Sequence, residues 1–125
     1  MAKTRKHTVP AITASDGSAT VYSPYISGYI ESVQYVKDDF TDGVDFTITA
    51  EATGENIWTD TNINASETVR PRAPTHSTAG VAALYAGSGT AVNDRIALGR
   101  DRVKIVIAAG GDTHSGTFVI TTSDR

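Results

Sequence analysis

Asp38, Asp39, Asp42 and Asp45 fall within eight residues and form the densest set of hard-metal oxygens in the chain. A calcium loop sets oxygens at alternate positions, with Gly sixth and Glu twelfth. Counted from Asp38, Gly43 is sixth, but Phe40 occupies a ligand position and Thr49 stands where Glu is required. The cluster therefore reads as turn chemistry. His7, His76 and His114 show no His-x-His or His-x-x-x-His spacing, which argues against zinc. With no Cys, a disulfide framework, thiolate ligands and a thiol nucleophile are excluded. Gly87-Ser88-Gly89 only superficially resembles the Gly-x-Ser-x-Gly elbow of acyl-transfer enzymes. Gly110 to Gly116 lacks the Gly-Lys-Ser/Thr of a phosphate loop and runs into a strand, so it reads as a hairpin loop. Glycoside hydrolysis needs two acids across a cleft, and the spacing of Glu31, Glu51, Glu55 and Glu67 does not place such a pair. No enzyme activity, metal or other cofactor is expected.

Binding is the remaining class. Trp58 with Tyr22, Tyr25 or Tyr29 would form a sugar-stacking platform if exposed, although core packing is the commoner use of such residues. Basic residues cluster at Lys3, Arg5 and Lys6 and again at Arg70 and Arg72, around Pro71. These five are the candidate contacts to an acidic partner. A net charge of -3 and a pI near 5.5 argue against nucleic-acid binding, which needs a basic face. The longest apolar run, Val81 to Ala86, is far short of the roughly 20 residues of a membrane helix. The basic start is followed by no apolar h-region, so synthesis in the cytoplasm is expected.

The elements that must position these residues read as strands. Val, Ile and Thr number 11, 10 and 18, against two Leu, and β-branched side chains suit a pleated surface better than a helix. Val44, Phe46, Ile48 and Ala50 alternate with polar residues, as do Val103, Ile105 and Ile107, which marks strands with one wet face. Ile26 to Val36 is apolar on both parities and is either covered twice or bulged. Further strands are expected over Lys6–Thr13, Ser18–Ser23 and Glu55–Thr61. The Asp-Gly turn predicts a hairpin of 28–37 with 43–51, and the Gly-rich loop a terminal hairpin of 102–109 with 117–122.

These elements predict one all-β domain, a β-sandwich or jelly-roll-like barrel over 9–125, preceded by a basic N-terminal arm at 1–8. Residues 62–92 form a long irregular segment, Pro-spaced and then Ala/Gly-rich. Within it Val69, Val81, Leu84 and Tyr85 call for something to pack against, and a neighbouring subunit would serve.

Three segments carry a resemblance to a family. They are the Met-Ala-Lys-Thr-Arg-Lys start, Gly43-Val44-Asp45-Phe46-Thr47-Ile48-Thr49 running into Thr53-Gly54-Glu55-Asn56-Ile57-Trp58, and Asp101 to Ile107 with Gly116 to Ile120. The chain resembles small tailed-bacteriophage virion proteins of the minor capsid, or head-decoration (cement), type. The resemblance implies a structural protein on the capsid exterior, assembled in the host cytoplasm. Its implied partners are the major capsid protein and other copies of itself, with a trimer as the expected state and no membrane or nucleic acid. No family site maps onto Lys3, Arg5, Lys6, Arg70 or Arg72. A head–tail connector or tail subunit, and a carbohydrate-binding module, stay open as alternatives.

Overall fold

The computed structural model describes residues 3–125, and every element in it is a strand: β1 Thr4–Ile12, β2 Ala19–Tyr22, β3 Ile26–Lys37, β4 Val44–Ala50, β5 Asn56–Ile63, β6 Glu67–Val69, β7 Arg72–Pro74, β8 Asn93–Asp101, β9 Val103–Ala108 and β10 Ser115–Ser123. The first sheet runs β1-β10-β3-β8-β7, with β6 also on β3, and the second runs β2-β9-β4-β5. All pairings are antiparallel.

The order follows from one long ribbon. The chain doubles back at the β4–β5 turn, so that β1 pairs β10, β2 pairs β9, β3 pairs β8 and β4 pairs β5. Rolling that ribbon up adds the contacts of β10 with β3 and of β9 with β4. This is a jelly roll, and it explains why successive strands mostly alternate between sheets. The expected all-β sandwich is what forms. Facing residues of the two sheets fill the space between them. Val33, Tyr35, Phe118 and Ile120 meet Phe46, Ile48, Ile105 and Ile107, all at most 1 % exposed. Phe46 contacts Tyr35, Phe118 and Trp58 edge to face, with centroids 4.7, 4.9 and 5.8 Å apart.

Both expected hairpins are corrected. β3 and β4 lie in different sheets, and so do β9 and β10. Each link is six residues long, enough to bridge the roughly 10 Å between packed sheets rather than fold back within one. Phe40 plugs the first crossing, buried between Tyr35 and a Gly116 that leaves no room for a Cβ. The double-parity run of β3 is explained by a bulge. Thr121 faces Ser32 but Thr122 faces Ile30, leaving Glu31 as the extra residue.

The arm expected at 1–8 is also corrected. Met1 and Ala2 lie outside the described residues, but Thr4 to Thr8 pair with β10 as the start of an unbroken nine-residue edge strand. The reason is alternation: Val9 and Ala11 are buried, and the same parity carries His7 and Arg5 towards the sandwich end. Pro10, which lacks an N–H, is accommodated because β1 is an edge strand.

The irregular stretch over 62–92 holds more structure than expected. β6 pairs residues 33–35, β7 pairs the start of β8, and 75–92 projects as a finger from that side. Three backbone bonds close a ring at its base: Thr75 N–H to Val92 C=O (2.8 Å), Val92 N–H to Ala83 C=O (2.9 Å) and Ala83 N–H to Thr75 C=O (2.9 Å). Turns at 77–80 and 86–89 complete it.

Candidate functional site

The five basic residues are not brought together. β1 and β7 are opposite edges of the first sheet, four strand steps or about 19 Å apart. Arg72 sits on β7, where its guanidinium donates to the carbonyls of Glu31 (3.3 Å) and Pro71 (2.8 Å). Arg70 lies exposed in the β6–β7 link. Among the described residues neither Lys6 nor Arg70 forms a salt bridge. Strand parity also divides the first cluster: Lys6 falls on the outer face of β1, whereas Arg5 shares the parity of His7.

Lys3, Arg5 and His7 line a cleft of about 140 Å³ together with Tyr25, Ile26, Ser27, Thr122, Ser123 and Asp124. Next to the lining residue Ser27, Gly28 takes φ +144, a conformation L side chains rarely adopt, and lets the Ser123 carbonyl approach closely. The rim is tied by Lys3 N–H donating to Asp124 Oδ1 (2.8 Å) and Asp124 N–H donating to the Lys3 carbonyl (3.2 Å). His7 Nε2 lies 3.1 Å from the buried Thr122 hydroxyl. Burial first, and the Arg5 charge second, push the His7 imidazole below its ordinary pKa.

Tyr25 is held from outside. The Arg102 guanidinium lies 4.0 Å over the Tyr22 ring and 5.4 Å from that of Tyr25. Arg102 is in turn oriented by a two-pronged pair with Glu51. The neighbouring Asp101 carboxylate is buried and accepts from Ala52 N–H and Arg102 N–H. Sequence reading missed His7, Tyr25, Thr122 and Asp124 as cleft residues; the alternation Arg5-His7-Val9-Ala11 was the one local signal for them.

The other candidate surfaces resolve differently. Trp58 is buried against Phe46 and does not serve as an exposed platform, and Tyr29 is covered by Arg95 at 4.2 Å. The four aspartates divide among three partners: Asp38 and Asp39 both accept from Ser115, Asp42 pairs with Lys37, and Asp45 accepts from Asn62 N–H. Among the described residues no three His, Asp or Glu side chains converge as a metal site. His114 lies 3.2 Å from the Thr41 hydroxyl at the opposite end of the sandwich from His7, and His76 belongs to the finger.

The finger is the second candidate surface. Residues 75–92 contain no Asp, Glu, Lys or Arg, in a chain where one residue in five is charged. Val81, Leu84 and Tyr85 on it are 65, 43 and 76 % exposed. Of the residues that called for a packing partner, Val69 packs on the core from β6 and Leu84 is partly covered within the finger, whereas Val81 and Tyr85 stay mostly exposed among the described residues.

The chain matches no protein-family model and no curated protein. Among solved structures it is similar to a chain of the Cyanophage Pam1 capsid asymmetric unit, at 15 % identity and a TM-score of 0.44, over 98 % of this chain and 82 % of that one.

Proposed function

We propose that this chain is a virion structural protein that works by protein–protein contact, as a head-decoration (cement) protein on the exterior of a phage capsid. The finger carries this reading. A segment without charged side chains that exposes Val81, Leu84 and Tyr85 is suited to burial against another chain. The resemblance of the three sequence segments to small phage virion proteins supports the same class. In this reading the partners are the major capsid protein and further copies of this chain, a trimer being the expected state, since symmetric clustering multiplies weak contacts. Lys6, Arg70 and Arg72, on the outer face and far edge of the first sheet, are proposed to meet acidic coat residues.

A ring subunit of a head–tail connector or tail is favoured by one observation. The finger and the free edge of β1 lie on opposite edges of one sheet, the arrangement that head-to-tail ring closure requires. Mass photometry of the protein, alone and with undecorated capsids, separates the two. Trimers that saturate capsids at a fixed copy number support decoration; a larger ring indifferent to capsids supports the connector reading. In the decoration case Val81→Ser with Tyr85→Ser weakens capsid binding at least about tenfold, the loss of roughly 1.4 kcal/mol or more. Undiminished binding by that double variant overturns the role of the finger.

A further inference from the structure

The cleft at the Tyr25 end of the sandwich has the composition of a receptor for a single negative charge. Its ionised side chains are Lys3 and Arg5 against Asp124, which leaves one net positive charge while His7 is neutral. Tyr25, Ile26, Ser27, Thr122 and Ser123 complete the lining without adding charge, and the three hydroxyls are already engaged, by Arg100 N–H, His7 and the Arg125 carbonyl in turn. Asp124 Oδ1 is occupied by the Lys3 backbone N–H. An arginine fork with an ammonium beside it is the usual recognition chemistry for a carboxylate.

We propose that this cleft is a binding site for one monoanionic carboxylate group, held by Arg5 and Lys3, with His7 as a proton-linked third contact. The inference goes beyond the assembly reading and stands whether or not the chain decorates a capsid. The uncharged finger does not fit such a site, so the ligand is not the finger of a second copy. A free carboxylic acid and an Asp or Glu side chain present the same group, and the test distinguishes them.

Charge matching gives the site a signature. A monoanion neutralises the cleft with His7 unprotonated. A dianion leaves one negative charge over, which protonation of His7 would cancel. Lys3, Arg5, Tyr25 and Asp124 share the cleft with His7, whose ring nitrogen meets the Thr122 hydroxyl, and of the charged groups it is Arg5 that opposes its protonation. Burial and Arg5 hold the imidazole below its ordinary pKa, so it is neutral at pH 7.5 and available for protonation in acid.

The experiment is a titration of the full chain with acetate, with sulfate and with a blocked Glu-containing peptide, following the His7 ring signals by NMR at pH 7.5 and 5.5. Acetate gives a saturable shift at both pH values. Sulfate binds weakly at pH 7.5 and gains about threefold or more relative to acetate at pH 5.5, because its second negative charge favours the protonated His7 ring that acid supplies. Arg5→Gln, and independently Lys3→Gln, weaken acetate binding by about tenfold or more, as loss of a charged hydrogen bond does. Lys37→Gln, which removes the same charge at the far end of β3, leaves acetate binding within about twofold. A peptide that binds as acetate does supports a site that reads the carboxylate alone; one that binds at least about tenfold tighter supports a partner-borne side chain. Three outcomes overturn the proposal: a His7 shift that never saturates, Lys37→Gln acting as strongly as Arg5→Gln in variants that melt like the wild type, or sulfate showing no extra gain in acid.

Discussion

Arg102 grips Glu51 with both prongs of its fork, Nε to Oε1 at 2.7 Å and Nη2 to Oε2 at 2.9 Å, while its flat face lies over the ring of Tyr22. The pair joins the start of β9 to the β4–β5 turn, and through Tyr25 it reaches the wall of the basic cleft. The hydrogen bonds from Arg102 hold the Glu51 carboxyl below its usual range. A carboxylate with a lowered folded-state pKa stabilises the fold above its unfolded value, about 4.3, and that contribution is lost as pH falls through the folded value. Thermal melts from pH 6 to pH 3 check it. The wild-type melting temperature should fall more steeply with acid than that of Glu51→Gln, and parallel curves would show that the pair carries no linkage.

His7 works in the same direction at higher pH. Its imidazole is pushed down by burial and by Arg5, so the unfolded chain takes up the proton first as pH drops below about 6.5. Stability is therefore present above that value and declines as pH falls towards the lowered one. Arg5→Gln removes the second cause and should flatten the decline between pH 7 and 5. Chemical denaturation at both pH values measures it, and an unchanged slope would assign the effect to burial alone.

Tyr35 carries the single buried side-chain polar atom that lacks a hydrogen-bond partner among the described residues. Its ring packs against Phe46 and Phe118, so the hydroxyl is the expendable part. Burial, aided by the Asp42 charge, pushes its pKa up to about 12. The hydroxyl thus stays protonated in the fold above the unfolded value of about 10, and stability falls as pH rises from about 10 towards 12. Tyr35→Phe removes an unsatisfied group while keeping the shape. It should be neutral or stabilising by up to about 1 kcal/mol in denaturant melts, with a weaker loss of stability above pH 10. A loss of more than about 1 kcal/mol would mean that the hydroxyl has a partner.

Gly28 and Gly54 make a controlled comparison of backbone strain. Both have positive φ, +144 and +77, but a Cβ on Gly28 would overlap the Ser123 carbonyl, whereas nothing lies within 4 Å of one on Gly54. Gly54→Ala should cost about 1 kcal/mol, the price of a left-handed residue alone. Gly28→Ala should cost about 3 kcal/mol or more, because β3 and β10 must separate at Ser123. Equal losses would show that the two strands yield easily there.

The strands were legible where one face is wet. Val44 to Ala50 and Val103 to Ile107 alternate because their outer neighbours meet water, and their inward members are at most 1 % exposed. Their partners were not legible. Hairpin reasoning pairs neighbours in sequence, whereas β1 meets β10 across more than a hundred residues, and that pairing is set by burial of the whole ribbon. Asn62 and Arg100 escaped notice because they adopt left-handed conformations, φ 56 and 50, at bulges where Gly would be the usual signal. The order of 75–92 was hidden for a different reason: backbone bonds create it, and they leave no side-chain period to read. Of the cleft, only Lys3 and Arg5 stood out, since Thr122, Ser123 and Asp124 are brought in from the other end of the chain.

The same distinction predicts how the finger responds to mutation. Val81 and Tyr85 contribute little to the fold, because most of their surface stays in water, while the backbone ring of the finger contributes to its own shape. Val81→Ser and Tyr85→Ser should therefore leave the stability of the isolated chain within about 0.5 kcal/mol. Phe46→Ala, at the centre of the aromatic cluster, should cost about 3–5 kcal/mol. Denaturant melts of the three variants at a concentration where the wild type is monomeric make the comparison. If the finger variants also lost several kcal/mol, Val81 and Tyr85 would be packed within the chain in solution, and the finger could not be the surface kept for a partner. If they lost stability only at concentrations where the wild type associates, the missing contact would be one between copies. Loss confined to mixtures with capsids would identify the coat as the surface that covers them.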